Sequence, residues 1–295
     1  GKTHWRNSLS HPNAAVASLV QQEKESWTNT TQTPKSTSGL MSSTALLRQN
    51  RDLYLNMLKR ALTFTLYEYM DVGTEVRAPS PLEVEFRRTG RDWPSLADSM
   101  IGHVRMENIQ RLLTEVIERE VPGDVIEAGV WRGGASIFMR GIIKALGSGK
   151  KVYVADSFAG LPAPNAKDFP QDADMNLHTF QQLSIHMEQV KLNFDRYGLL
   201  DNQVCFVPGL FKDTLHLLND RKWCLVRLDG DMYESTTQSL EALYPQLEVG
   251  GYLIQDDYFN IPQAQEATDT YRKKYGITEP IVEIDWAGAY WRKES

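Results

Sequence analysis

Cysteine is nearly absent from this chain of 295 residues: the two present, Cys205 and Cys224, sit inside apolar, strand-like runs and form no C-x-x-C pair. A thiolate-held metal is therefore not expected, and both cysteines read as buried core thiols. Long apolar runs are missing as well. No stretch approaches the ~18 residues of a membrane-spanning helix, and the N-terminus has no charged region leading into an apolar one, so the chain reads as cytoplasmic with no membrane contact. Nor is there an excess of positive charge. Lys and Arg number 32 against 38 Asp and Glu, a net charge of −6, and without a concentrated basic surface nucleic acid is not an expected partner. What is present is a composition of 41% hydrophobic and 10% aromatic residues, enough for a sizeable globular core.

Three segments follow from the pattern along the chain. Residues 1–42 are rich in Ser, Thr, Gln and Asn without apolar periodicity, and read as a linker or arm. Residues 43–121 read as a helical, lid-like region. In it, Leu46, Leu47, Leu53, Leu55, Leu58, Leu62, Leu66 and Tyr69 predict an amphipathic helix from Ser43 to about Met70, and a second helix is expected from Gly102 to Glu120. Between them Pro79, Pro81, Gly90 and Trp93-Pro94 mark a long irregular stretch, of the kind that serves as a lid or as a simple connector.

Residues 122–295 read as the catalytic domain, with short apolar strands alternating with helices. Strands are expected at Asp124–Val130, Lys151–Asp156, Gln203–Val207, Trp223–Asp229 and Gly251–Gln255, and helices near 134–146, 178–197, 235–247 and 262–275. Ile281–Trp286 and Ala289–Arg292 predict a closing antiparallel hairpin turning at Ala287-Gly288. The alternation implies an α/β fold: a mostly parallel, Rossmann-like sheet with helices on both faces, whose ligands bind beyond the carboxyl ends of the strands.

The first of those strands runs through Glu127 into Gly129-Val130-Trp131-Arg132-Gly133-Gly134-Ala135-Ser136. Glycines there let backbone approach a ligand, and the helix start offers unpaired N–H groups. The spacing is G-x-x-x-G-G and not the G-x-G-x-x-G of dinucleotide sites. A pyrophosphate needs that cradle, whereas a thioether-linked nucleoside does not. The next strand ends at Asp156, a carboxylate suited to accept both hydrogen bonds of a ribose diol, or alternatively a turn or cap residue. Together these features point to S-adenosylmethionine over a nicotinamide cofactor.

Two later strands also end in acids, Asp229-Gly230-Asp231 and Asp256-Asp257. In a parallel sheet all of these lie on the edge that carries Glu127 and Asp156. Neighbouring carboxylates repel unless a cation sits among them, and acids without His or Cys favour a hard ion, Mg²⁺ or Mn²⁺. Such an ion would lower the pKa of an acceptor hydroxyl while a carboxylate removes its proton, with Asp229 the first candidate for ligand and base and Asp231 the competing base. Asp231 also fits a helix cap.

At these residues the chain resembles the macrocin O-methyltransferase family. Carrying the resemblance are Met100-Ile101-Gly102 with Arg105-Met106-Glu107-Asn108, Glu127 to Gly134, Asp156-Ser157-Phe158-Ala159-Gly160-Leu161-Pro162, Gly209 to Leu215, Arg227 to Thr236, and Gly250-Gly251 followed by Asp256-Asp257-Tyr258. The resemblance implies a class I methyltransferase fold and methyl transfer to a hydroxyl of a small natural product. It implies a metal held by Asp229, Asp256 and Asp257, and cofactor contacts at Met100, Ile101, Glu127, Gly129, Trp131, Gly133, Ser136, Asp156, Ser157, Phe211 and Asp229. Where catechol-type relatives carry a lysine base, three residues beyond the first metal aspartate, this chain has Met232, which points to an aspartate base. The resemblance further implies dimerisation through the N-terminal helices and an acceptor lid that includes Pro164 to Leu183, with Met175, Phe180, His178 and His186 as lining candidates. Two other readings remain: a domain of a biosynthetic megaenzyme receiving its substrate on a carrier protein, and a non-catalytic binding domain.

Overall fold

The structure, a computed structural model, describes residues 42–67, 70–72 and 75–295. All but the last residue of the expected N-terminal arm lies outside these. Residues 47–295 form one compact unit. Its elements are helix α1 (Ser43–Leu62), the hairpin β1 (Met70–Val72) and β2 (Glu75–Arg77), helices α2 (Pro81–Thr89) and α3 (Gly102–Glu118), then β3 (Asp124–Ala128), α4 (Gly134–Ala145), β4 (Val152–Asp156), α5 (Met187–Arg196) and β5 (Val204–Pro208). There follow α6 (Phe211–Thr214), β6 (Trp223–Leu228), α7 (Tyr233–Leu243), β7 (Leu247–Gln255), α8 (Pro262–Tyr275), β8 (Val282–Glu283) and β9 (Ala289–Arg292).

Seven strands form one sheet in the order β5-β4-β3-β6-β7-β9-β8. The first five are parallel, and β9 runs antiparallel to β7 and to β8. This is the class I methyltransferase arrangement expected from the alternation of elements. Central strands read as near-continuous apolar runs, interrupted by Glu127 in β3 and Arg227 in β6, because both faces are covered. Val125, Val154 and Leu225 face a core built with Leu58, Ile109, Phe138 and Phe194, from α1, α3, α4 and α5. Ile126, Tyr153 and Val226 point the other way, toward Leu240, Leu243 and Tyr271 of α7 and α8. Of the two cysteines, Cys224 is buried and Cys205 only half-buried.

Three elements depart from the periodicity. Helix α1 stops at Leu62 instead of continuing to Met70, because the Leu62 carbonyl accepts the N–H groups of Asp98 and Ser99 and Phe64 turns left-handed at φ +54°. The Thr63 hydroxyl, bonded back to the Lys59 carbonyl at 2.9 Å, adds a competing partner. The helix expected over 178–197 begins only at Met187. Ahead of it lie three single 3₁₀ turns, Pro170–Asp172, Leu177–Thr179 and Gln181–Leu183, with Phe180 and Ser184 extended between and after the last two. The closing hairpin keeps its turn but only two residues of β8 pair, since the Asp285 carboxylate accepts the Ala287 and Gly288 N–H groups and ends the strand early.

Candidate active site at the carboxyl edge of the sheet

The carboxyl ends of β3, β4, β6 and β7 open into a cavity of about 370 Å³, within the range of small-molecule sites. Of the residues singled out in the sequence, Met100, Ile101, Glu127, Gly129, Trp131, Asp156, Ser157, Phe211, Asp229, Asp231, Asp256 and Asp257 line it. Gly133 and Ser136 are not among its lining. Ser136 is fully buried and donates its hydroxyl to Glu127, and a side chain at Gly133 would meet Val190 at 2.7 Å. Those two residues support the turn from beneath.

Gly129 is required for packing as much as for access. Its φ is +91°, and a Cβ there would lie 1.8 Å from the Asp229 carbonyl oxygen, so the ends of β3 and β6 meet only because no side chain intervenes. A Cβ at Gly134 would lie 2.4 Å from the Asp98 carbonyl, which places the Asp98–Ile101 segment directly across the start of α4. At the end of β4, Asp156 accepts the Val130 N–H on Oδ2 and the Phe158 N–H on Oδ1, both at 2.8 Å. The Ser157 hydroxyl adds a longer contact to Oδ1 of Asp156, at 3.4 Å, and the carboxylate lines the cavity. Burial raises its pKa, and these backbone bonds pull against the rise.

Beside this lies a charged network that local sequence patterns do not reveal. Arg227, the lone charge in the apolar β6 run, is 1% exposed. It pairs with Glu127, with Asp229 at 2.9 Å and with Asp256 at 2.5 Å. Arg105 of α3 reaches the other oxygen of Asp256 at 2.5 Å, Asp285 at 3.2 Å and the Gly90 carbonyl at 3.1 Å. Although burial opposes ionisation, the two guanidinium groups hold the Asp256 carboxyl below its ordinary range. Glu127 is pushed up to about 7 by complete burial, against the pull of Arg227 and Ser136.

The remaining acids have far less compensation. Asp229, Asp231 and Asp257 each offer a carboxylate oxygen within 4.8 Å of the others. Asp257 accepts a bond from the Asn260 amide on Oδ1, while its buried Oδ2 has no hydrogen-bond partner among the described residues. All three carboxyls are raised, Asp231 and Asp257 strongly, first by burial and then by one another and Asp256. Crowded oxygen ligands, one of them orphaned, without His or Cys fit a hard divalent cation. Asp256, expected as a ligand, lies beside this set and pairs with the two arginines, while Asp231, expected as a base, lies within it.

The wall opposite the sheet contains Arg91, Trp93 and Trp286. Arg91 lies over the Trp286 ring at 4.5 Å, and Trp93 meets Phe180 edge-on at 5.6 Å. Of the four lid candidates, Phe180 thus packs on the wall, whereas Met175, His178 and His186 are absent from the cavity lining. Trp286 carries no sequence signal for the site, and Arg105 and Trp93 are marked only by the family motif and the lid-like stretch, not by the contacts they make.

Comparisons with known proteins agree with one another. Residues 41–293 match the family described as macrocin-O-methyltransferase (TylF). The chain is 47% identical to an 8-demethyl-8-(2,3-dimethoxy-alpha-L-rhamnosyl)-tetracenomycin-C 4'-O-methyltransferase of Streptomyces olivaceus, across 82% of this chain and 93% of the relative. It is 43% identical to a mycinamicin III 3''-O-methyltransferase of Micromonospora griseorubida, across 83% and 97%. The solved structure of the O-methyltransferase NovP superposes with a TM-score of 0.77 at 43% identity, covering 83% of this chain and all of the other (100%). The calicheamicin methyltransferase CalS11, at 19% identity and a TM-score of 0.55, shares the fold. With the match spanning nearly its whole length, the chain belongs to the macrocin-O-methyltransferase family.

Proposed function

We propose that this protein transfers a methyl group from S-adenosylmethionine to a hydroxyl on a glycosylated natural product, with Mg²⁺ or Mn²⁺ at the acidic trio. One observation carries the reading: the convergent carboxylates of Asp229, Asp231 and Asp257 share a single cavity with Asp156 and the glycine turn that starts at Gly129. The names of the relatives support the acceptor class, since they describe O-methylation of a rhamnosyl tetracenomycin and of mycinamicin III.

When bound, the sulfonium cofactor supplies the methyl group and the cation lowers the pKa of the acceptor hydroxyl. Asp156 would accept the ribose hydroxyls, and Met100, Ile101 and Trp131, which line the same cavity, would contact the rest of the nucleoside. Asp229, Asp231 and Asp257 are the residues that would hold the cation, with Asp256 beside them between the two arginines. Asp231 takes the hydroxyl proton in preference to Asp229, because one oxygen of Asp229 is held by Arg227 whereas Asp231 opens on the cavity with a raised carboxyl pKa. Trp93, from the segment 43–121, and Trp286, from the catalytic domain 122–295, would form the acceptor-side wall.

Incubation with S-adenosylmethionine and the demethylated acceptors of the relatives, followed by mass spectrometry, should show one added methyl. That activity should vanish with chelator and return with Mg²⁺. Turnover indifferent to chelation removes the cation from the mechanism, and calorimetry that finds a nicotinamide cofactor bound in place of S-adenosylhomocysteine overturns the whole reading.

A further inference from the structure

The segment between β4 and α5 brings a carboxylate to a place where the sequence offers no reason for one. Asp172, at the end of the Pro170–Asp172 turn, is 0% exposed. A buried carboxylate must be partnered, and its partners are backbone groups: Oδ1 accepts the Tyr233 N–H at 2.7 Å and Oδ2 the Glu234 N–H at 2.9 Å. These are the first-turn donors of α7. That helix has no cap of its own, for the residue at its N-cap is Met232, whose side chain makes no capping bond. Asp172 therefore supplies from a distant segment the acceptor that a Ser, Thr or Asp ordinarily supplies locally, and its charge also suits the positive end of the helix. The ring of Phe169 lies 6.3 Å from that of Tyr233 and adds a second tie.

Only Asp229, Gly230, Asp231 and Met232 separate β6 from α7. At the start of this link the Asp229 N–H is bonded to the Ala128 carbonyl at 2.8 Å. At its end stands the turn that Asp172 captures. Between them Asp231 is left-handed, at φ +59°, a conformation uncommon in non-glycine residues though more accessible to aspartate than to most.

We propose that Asp172 is a positioning residue: by capping α7 it fixes the left-handed backbone of Asp231 and so aims the Asp231 carboxylate into the trio. The inference rests on the reading of that trio as a cation site. It also gives the segment between β4 and α5 a defined tie to the acidic centre.

The test measures Mn²⁺ binding to the metal-free protein by electron paramagnetic resonance, S-adenosylhomocysteine binding by calorimetry, and kcat with KM. Asp172→Ala should weaken Mn²⁺ binding about tenfold and lower kcat about a hundredfold, the order expected for a displaced reacting group, while the S-adenosylhomocysteine Kd stays within about twofold. Asp172→Asn, which keeps one acceptor oxygen, should recover part of both losses, and it decides the matter if the alanine variant does not fold. Ser80→Ala, which removes the cap of α2 outside the site, should lower thermal stability without changing Mn²⁺ affinity. Folded Asp172 variants that bind Mn²⁺ and turn over like the wild type overturn the inference, as does an equal loss of Mn²⁺ affinity in Ser80→Ala. A wild-type protein that binds S-adenosylhomocysteine but no Mn²⁺ instead defeats the cation-site reading, and the role of Asp172 falls with it.

Discussion

Glu127 and Asp256 stand beside Asp229, Asp231 and Asp257 on one sheet edge, yet their charges are handled in opposite ways. The first pair is locked between buried guanidinium groups, Arg227 between both acids and Arg105 on the far side of Asp256. The trio shares a single contact with Arg227, through Asp229, and its carboxyls, like that of Glu127, are raised, first by burial and then by neighbouring carboxyls. Compensated acids are architecture; they tie α3, β3, β6 and the turn after β7 together. Acids held within 4.8 Å of one another with so little compensation cost stability, and that cost is what the proposed cation would relieve.

Breaking the uncompensated side should have the largest effect on chemistry. Asp229→Asn removes the one carboxylate that belongs to both groups, and kcat should fall by about a thousandfold or more with the circular dichroism spectrum unchanged. Near-normal turnover would mean that Asp229 is architecture too. Breaking the compensated side should show chiefly as stability. Arg227→Met leaves Glu127 buried without its guanidinium partner and Asp256 with Arg105 alone, and urea unfolding should register a loss of about 3–5 kcal/mol.

Arg105→Lys is a milder version of the same cut. An ammonium group cannot serve Asp256, Asp285 and the Gly90 carbonyl from one rigid fork, so a loss of about 1–3 kcal/mol is expected, together with a higher acceptor KM as the Gly90–Trp93 wall loosens. Wild-type KM with reduced stability would confine Arg105 to a structural role.

The smallest effect separates the two sides by pH. Raised carboxyls retain protons in the folded chain that the unfolded chain has already released. Between the ordinary carboxylate range and their folded values the native state therefore binds more protons, and the trio's contribution to stability falls as pH rises. Asp256 has the opposite sign: its contribution is lost as pH falls through its depressed value. The increase in Tm caused by Mg²⁺ should accordingly grow between about pH 5 and about pH 8, because the ion binds the ionised trio. An increment that shrinks over that interval would place Mg²⁺ elsewhere.

Much of the site was legible because strand ends are legible. An apolar run that stops at an acid in a parallel sheet must place that acid on the carboxyl edge, so Asp156, Asp229, Asp256 and Asp257 could be set side by side from the sequence. Glu127 and Ser136 were legible as positions but not as contacts. Both look like part of a ligand turn, whereas Ser136 faces inward and Glu127 spends its oxygens on Ser136 and Arg227. Asp172 and Arg105 had no such signature, since each acts on residues distant in the chain, Asp172 on the Tyr233 and Glu234 amides and Arg105 on Asp256.

By itself the sequence determined what depends on local periodicity and on the chemistry of a residue type: the alternating strands and helices, the glycine that permits φ +91° at position 129, and an edge crowded with carboxylates. The tertiary structure alone decided which carboxylates are paired with guanidinium groups and which converge without one. That choice depends on where two guanidinium groups arrive, one from α3 and one from β6, and electrostatic compensation acts over a few ångströms of space whatever the separation along the chain.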